Sequence, residues 1–145
     1  MFQQNIFAIF EENFDDSKRD IPLHDPHVGE SCYGDLFILI NDVTQALQGR
    51  NINRRELIGL FIPNGVTRIA FVLALGKLGI PFVPLDPTLP REKMEYIVQQ
   101  TKLQTVVYDD SIFEYEKIWN GYGIDIPTLS TKDLLQNTVK LLFGE

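Results

Sequence analysis

Cysteine is almost missing from this 145-residue chain, with Cys32 the single example. A lone thiol cannot close an intramolecular disulfide, which fits a reducing compartment, and the expected location is cytoplasmic. Positive charge is also scarce. Thirteen Lys and Arg stand against twenty Asp and Glu, for a formal net charge of −7. Nucleic-acid and anionic-membrane surfaces both need a positive footprint, so neither partner is expected. The opening "MFQQNIFAIFEENF" has no basic segment ahead of its apolar residues and carries acids early, so it does not read as a secretory signal. Nor does a membrane span stand out. The apolar stretch over 69–85 is interrupted by Lys77 and broken by Pro81 and Pro84, which suits a buried α/β core better than a bilayer.

Catalytic and metal-binding groupings are thin as well. His24 and His27 flank Asp25 in "HDPH", but no third ligand follows at helical spacing, so no metal site is expected. The acidic pairs Glu11/Glu12, Asp15/Asp16 and Asp109/Asp110 are adjacent residues, which point apart and read as solvated ends of elements. Gly76 and Gly79 in "GKLG" close a helix, whereas a dinucleotide fingerprint opens one. Cys32 has no evident histidine and acid beside it. No catalytic residue is assigned. Trp119 and Tyr122 are expected to cover the sheet end, not to stack on a base.

What the chain does have is alternating apolar periodicity. Phe2, Ile6, Ile9, Phe10 and Phe14 give a helix over 2–14, followed by a polar, Pro- and Gly-punctuated loop over 15–30. Leu36, Leu39, Ile40, Val43 and Leu47 mark one face of a helix that ends near Gly49. "LIGLFI" (57–62) reads as a fully buried strand. Asn64 is the expected cap of a helix over 65–78, apolar on most sides and so sandwiched, with Gly79 as its stop. A strand over 80–83, the loop "PLDPTLP", a helix from Pro90 to about 101 and a strand over 105–108 follow. The C-terminal part reads as a short helix over 112–119, a proline-bearing edge strand over 124–129 and a helix over 131–142 with a Ser130–Asp133 capping box. Strand, helix, strand, helix, strand with short connections means right-handed βαβ units. The predicted fold is a single α/β domain over 1–145, a parallel sheet with helices on both faces. An N-terminal helix and loop occupy 1–30 and the α/β core 31–145. The strand order is not readable.

Two stretches carry a family resemblance. "LGKLGIPFVPLDPTLPREKMEYI" resembles the core motif "LKAGxAYVPLDPxYPxERLxYM" of adenylate-forming ligases, in the form found in amino-acid-activating domains of nonribosomal peptide synthetases. Lys77, Gly79, Val83, Pro84, Leu85, Asp86, Pro87, Pro90, Glu92 and Tyr96 stand at matching positions. Leu89 replaces a tyrosine, Lys93 an arginine and Pro81 an alanine. Upstream, "SCYGDL" (31–36) resembles the family's "LTYxEL", with Tyr33 and Leu36 matching and Asp35 standing for glutamate.

The resemblance implies the N-terminal subdomain of the adenylate-forming ligase fold. It also implies the reaction: a carboxylate attacks the α-phosphate of ATP, and the acyl-adenylate then passes to the thiol of coenzyme A or of a carrier protein. ATP and magnesium are implied for the complete enzyme. No stretch of the 145 residues resembles the family's "SGTTGxPKG" phosphate loop, its ribose-binding acid, its hinge or its catalytic lysine. The chain alone is therefore expected to bind no cofactor and to be inactive. By resemblance to coenzyme-A-using relatives, Leu85, Asp86 and Pro87 border the thiol-acceptor entrance. The bland alternative is that the prolines only stiffen a strand-to-helix crossover. Tyr33, Lys77, Gly79, Pro84, Pro90, Glu92 and Tyr96 are expected to be structural. Implied partners are the remaining ligase polypeptide, a second copy of the chain, or a carrier protein. The helix over 36–47 and the loop over 84–90 are the expected contact faces. A stand-alone interaction module derived from such an enzyme is the other reading.

Overall fold

The computed structural model describes residues 6–25, 29–50, 52, 56–110 and 113–135. Helix α1 (Ile6–Asn13) leads through a 3-10 turn into an antiparallel hairpin, β1 (Pro22–Asp25) and β2 (Gly29–Cys32). Then come α2 (Tyr33–Gly49), β3 (Ile58–Phe61), α3 (Val66–Leu78), β4 (Phe82–Pro84) and α4 (Arg91–Thr101). β5 (Thr105–Tyr108), α5 (Phe113–Tyr122), β6 (Thr128–Ser130) and α6 (Thr131–Leu134) complete the described chain.

β3 to β6 form one parallel sheet in the order β4-β3-β5-β6. Ile58 sits opposite Phe82 on one side and Thr105 on the other. The chain steps outward from β3 to β4 through α3, then crosses back to β5 through α4. The winding therefore reverses between β3 and β5, and the carboxyl edge there is where open α/β sheets keep their ligands.

Strand alternation separates two cores. Ile58, Leu60, Ile62 and Val107 join the core shared with α1, α2 and α3. Phe61 and Val106 join the core beneath α4 and α5, with Met94, Trp119 and Tyr122. The α/β fold with helices on both faces of a parallel sheet is the one the sequence predicts. The α2 stripe Leu36, Leu39, Ile40, Val43 and Leu47 is buried throughout. It packs on α3, whose Ala70, Phe71, Ala74 and Leu75 are fully buried. At Gly79 the backbone turns left-handed, with φ of 72°, and ends α3. Among the described residues no helix is long and apolar enough to cross a membrane.

Three expectations need correction. The loop over 15–30 contains the β1–β2 hairpin, so the N-terminal part is not only helix and loop. Its strands are held by a backbone ladder and bury little apolar surface, so no hydrophobic alternation announces them. Asn64 does not cap α3; its side-chain oxygen accepts instead from Arg68 Nη1 at 2.6 Å. The α3 terminus is served by Asp25 of β1, whose Oδ2 accepts the Val66 N–H at 2.6 Å. Asp109, read as a solvated end of its strand, is only 6% exposed and accepts from the Thr131 hydroxyl at 3.1 Å. Lys77 is exposed, with its Nζ 5.0 Å from the centre of the Phe7 ring. The half of the capping box seen here, Asp133 N–H to Ser130 Oγ at 3.0 Å, forms as expected. Residues 2–5 of the first predicted helix and 136–142 of the last lie outside the described residues.

Candidate functional site at the carboxyl edge

β3 runs into Ile62-Pro63-Asn64-Gly65, and β4 runs into Leu85-Asp86-Pro87-Thr88. A cavity of about 490 Å³ opens between these two strand ends. Asn64, Arg68, Asp86, Thr88 and Tyr115 give it polar groups, among walls of proline and aliphatic side chains.

The loop wall is built by its own hydrogen bonds. Asp86 Oδ1 accepts from the Thr88 N–H at 2.8 Å and from the Thr88 hydroxyl at 2.7 Å, an Asx turn. Those bonds to Thr88, with a further contribution from the Arg68 charge, hold the Asp86 carboxyl below the usual carboxylate range. Tyr122 of α5 ties the loop from below: its hydroxyl donates to the Leu89 carbonyl at 2.7 Å, with the Pro87 carbonyl at 3.4 Å. Burial, and secondarily the Asp86 charge, push the Tyr122 phenol up, so it stays a donor. Tyr115 is raised by the same two causes, in the same order. Under the loop, the Phe61 ring packs against Tyr115 at 5.3 Å and Trp119 at 5.4 Å.

The predicted site residues divide by location. Pro84, Leu85, Asp86 and Pro87 come together at the cavity, with Leu85 itself buried in the second core. Pro90 is the N-cap of α4 and Glu92 sits exposed in its first turn, where the helix dipole favours an acid. Tyr96 projects from α4, 64% exposed. Lys77 and Gly79 end α3 at the opposite edge of the sheet. Tyr33 starts α2 and lines a separate apolar cavity of about 450 Å³ with Ile9, Phe10, Phe14 and Ile21. Trp119 and Tyr122 pack beneath the sheet end, as expected. On the helix over 36–47 the apolar stripe lies against α3, while Ile38 is 43% exposed. Sequence reasoning missed Arg68, Tyr115 and Asp25. Only Arg68 left a local signal, its i,i+4 spacing from Asn64.

Chemically, the cavity pairs one guanidinium with one carboxylate already committed to Thr88. Among the described residues no three His, Cys, Asp or Glu side chains are grouped to hold a metal.

A parallel sheet with helices on both faces and a cavity at its carboxyl edge defines an open α/β fold. The chain belongs to the AMP-binding enzyme family, whose profile matches residues 10–138. The PKS-NRPS hybrid synthetase acdB of Aspergillus candidus is 31% identical over 102 residues, 70% of this chain and 4% of that protein. Nonribosomal peptide synthetase 4 of Gibberella zeae is 27% identical over 139 residues, 95% of this chain and 2% of that protein. The fold matches the N-terminal subdomain of Klebsiella oxytoca NpsA, solved in complex with 3-hydroxybenzoyl-AMSN. The TM-score is 0.72 at 20% identity, over 94% of this chain and 32% of that one. The chain thus corresponds to a portion of the AMP-binding region of adenylating enzymes of the nonribosomal peptide synthetase type. It spans 4% or less of the two synthetases.

Proposed function

We propose that the chain supplies a rigid wall beside the acceptor-thiol path of an acid-activating ligase. Such an enzyme converts a carboxylic or amino acid to its acyl-adenylate and passes the acyl group to coenzyme A or a carrier protein. The observation that carries this reading is the cavity at the carboxyl edge, walled on one side by Leu85, Asp86 and Pro87. Asp86 shapes the loop through Thr88. Neither ATP nor magnesium is assigned to these residues, because the 145 residues hold no Gly/Ser/Thr-rich phosphate loop and no grouped metal ligands are described. Both belong with the remaining ligase polypeptide, which is the expected partner. A cytoplasmic setting suits the single thiol.

The test is ATP–pyrophosphate exchange. The purified 145-residue chain should show none with any acid. Joined to a polypeptide carrying the phosphate loop and lysine, it should support exchange and thioester formation. In that active form, Thr88→Trp should raise the KM for the thiol and leave the KM for ATP unchanged. Exchange by the chain alone, or an unchanged thiol KM, overturns the reading.

A second reading, an interaction module, draws on Ile9 and Ile21, which are 48% and 44% exposed beside the apolar cavity at α1. Concentration-dependent sedimentation of the chain alone would favour it. A monomer that binds no carrier or ligase polypeptide would remove it.

A further inference from the structure

Asp25 is a charged residue of the β1–β2 hairpin, yet it is only 2% exposed. Its carboxylate reaches 41 residues along the chain to the first amide of α3, at 2.6 Å. The approach is so close that a Cβ on Gly65 would stand 2.6 Å from the same oxygen, so only glycine fits there. An anion at a helix N-terminus with a short, charge-assisted hydrogen bond is a strong tie.

The tie ends at Val66, two positions from the cavity-lining Asn64 and Arg68. Asn64 precedes Gly65 and receives the Arg68 guanidinium at 2.6 Å. Both side chains line the cavity together with Asp86 and Thr88. Among the described residues of that lining Arg68 is the only cation, and its charge is felt at Asp86. Where Gly65 and Val66 are held therefore decides where the guanidinium stands.

We infer that Asp25 is a positioning residue for the carboxyl-edge cavity: through Gly65 and Val66 it sets the place of Asn64 and Arg68 on the rim. The hairpin, none of whose described residues lines the cavity, thereby controls the cavity's polar geometry. The inference concerns the rim itself and holds whatever ligand the cavity takes.

The experiment uses the isotope-labelled 145-residue chain at neutral pH, with no ligand added. D25N keeps an oxygen acceptor of the same shape and loses the charge. D25A loses both. The long-range effect of the missing charge is common to the two variants, so their difference isolates the hold on Val66. D25A should move the Asn64 side-chain amide and Arg68 Nε–H resonances, while D25N leaves them near their wild-type positions. Exchange of the Val66 amide should speed up about tenfold or more in D25A, the factor for one lost hydrogen bond to a charged group. If D25A does not fold, D25S replaces it under the same criterion, being polar but one bond short of the amide. Equal shifts in the charge-only and truncated variants, or no shift at Asn64 and Arg68 in either, overturn the inference. Because thiol binding plays no part in the readout, its failure is distinct from failure of the thiol-path reading.

Discussion

Replacing Tyr122 with phenylalanine removes one oxygen and leaves the ring in place. The ring is buried against Phe61 and Trp119, so packing is conserved and the hydrogen bond to Leu89 is the main loss. A net hydrogen bond is worth about 0.5–1.5 kcal/mol, and a carbonyl left without a partner costs up to a few more when water cannot reach it. Leu89 is only half-buried, so water relieves part of that penalty. The expected destabilisation is about 1–2 kcal/mol, or roughly 3–7 °C in Tm for a domain of this size. The pH dependence gives a second, independent reading. Burial holds the native phenol above its ordinary 10.0. As pH rises past that value the unfolded chain releases the proton first, so stability falls up to the raised native value. Y122F has no such proton to lose. The gap between wild type and variant should therefore narrow above pH 10. Part of the alkaline loss should persist in Y122F, because Tyr108 and Tyr115 are also raised, first of all by burial. Thermal and urea melts from pH 7 to 11 supply the measurement. A variant with unchanged Tm and an unchanged alkaline slope would refute the claim that this hydroxyl anchors the proline loop.

Phe61→Ala should cost about 3–5 kcal/mol in urea melts, since Phe61 is fully buried among three aromatic rings; Phe61→Leu should cost clearly less. Asp86→Ala should loosen the loop and speed amide exchange at Thr88, while Asp86→Asn keeps the turn's acceptor. The lowered Asp86 carboxyl adds stability above its ordinary 3.8 that is lost as pH falls through the lower native value, so both variants should show a shallower acid-side decline. Lys77→Met should melt within about 1 kcal/mol of wild type, the size of an exposed cation–π contact. Lys77→Asp should lie slightly below it, because an acid in the last turn opposes the helix dipole, by about 0.3–1 kcal/mol. A Lys77→Asp chain that fails to fold would show that Lys77 has a buried role.

The sequence by itself determined the elements whose periodicity is written in apolar residues. The α2 stripe at Leu36, Leu39, Ile40, Val43 and Leu47 and the run Ile58–Ile62 each bury a face, and burial is a local pattern. Gly79 as the stop of α3 was legible because a left-handed end has few alternatives to glycine. The resemblance over 75–97 located the Leu85–Pro87 loop, and βαβ alternation alone put that loop at a strand's carboxyl end. Tertiary structure decided the rest. The order β4-β3-β5-β6 depends on which way the α4 crossover turns, and no residue pattern records that. The hairpin escaped notice because its strands PLHD and GESC carry one large apolar residue, Leu23, and so no hydrophobic alternation. Asp25 meets Val66 across 41 positions, and Tyr122 meets Leu89 across 33. Single polar groups paired over such distances have no period, so only the packing of the helices onto the sheet brings them together.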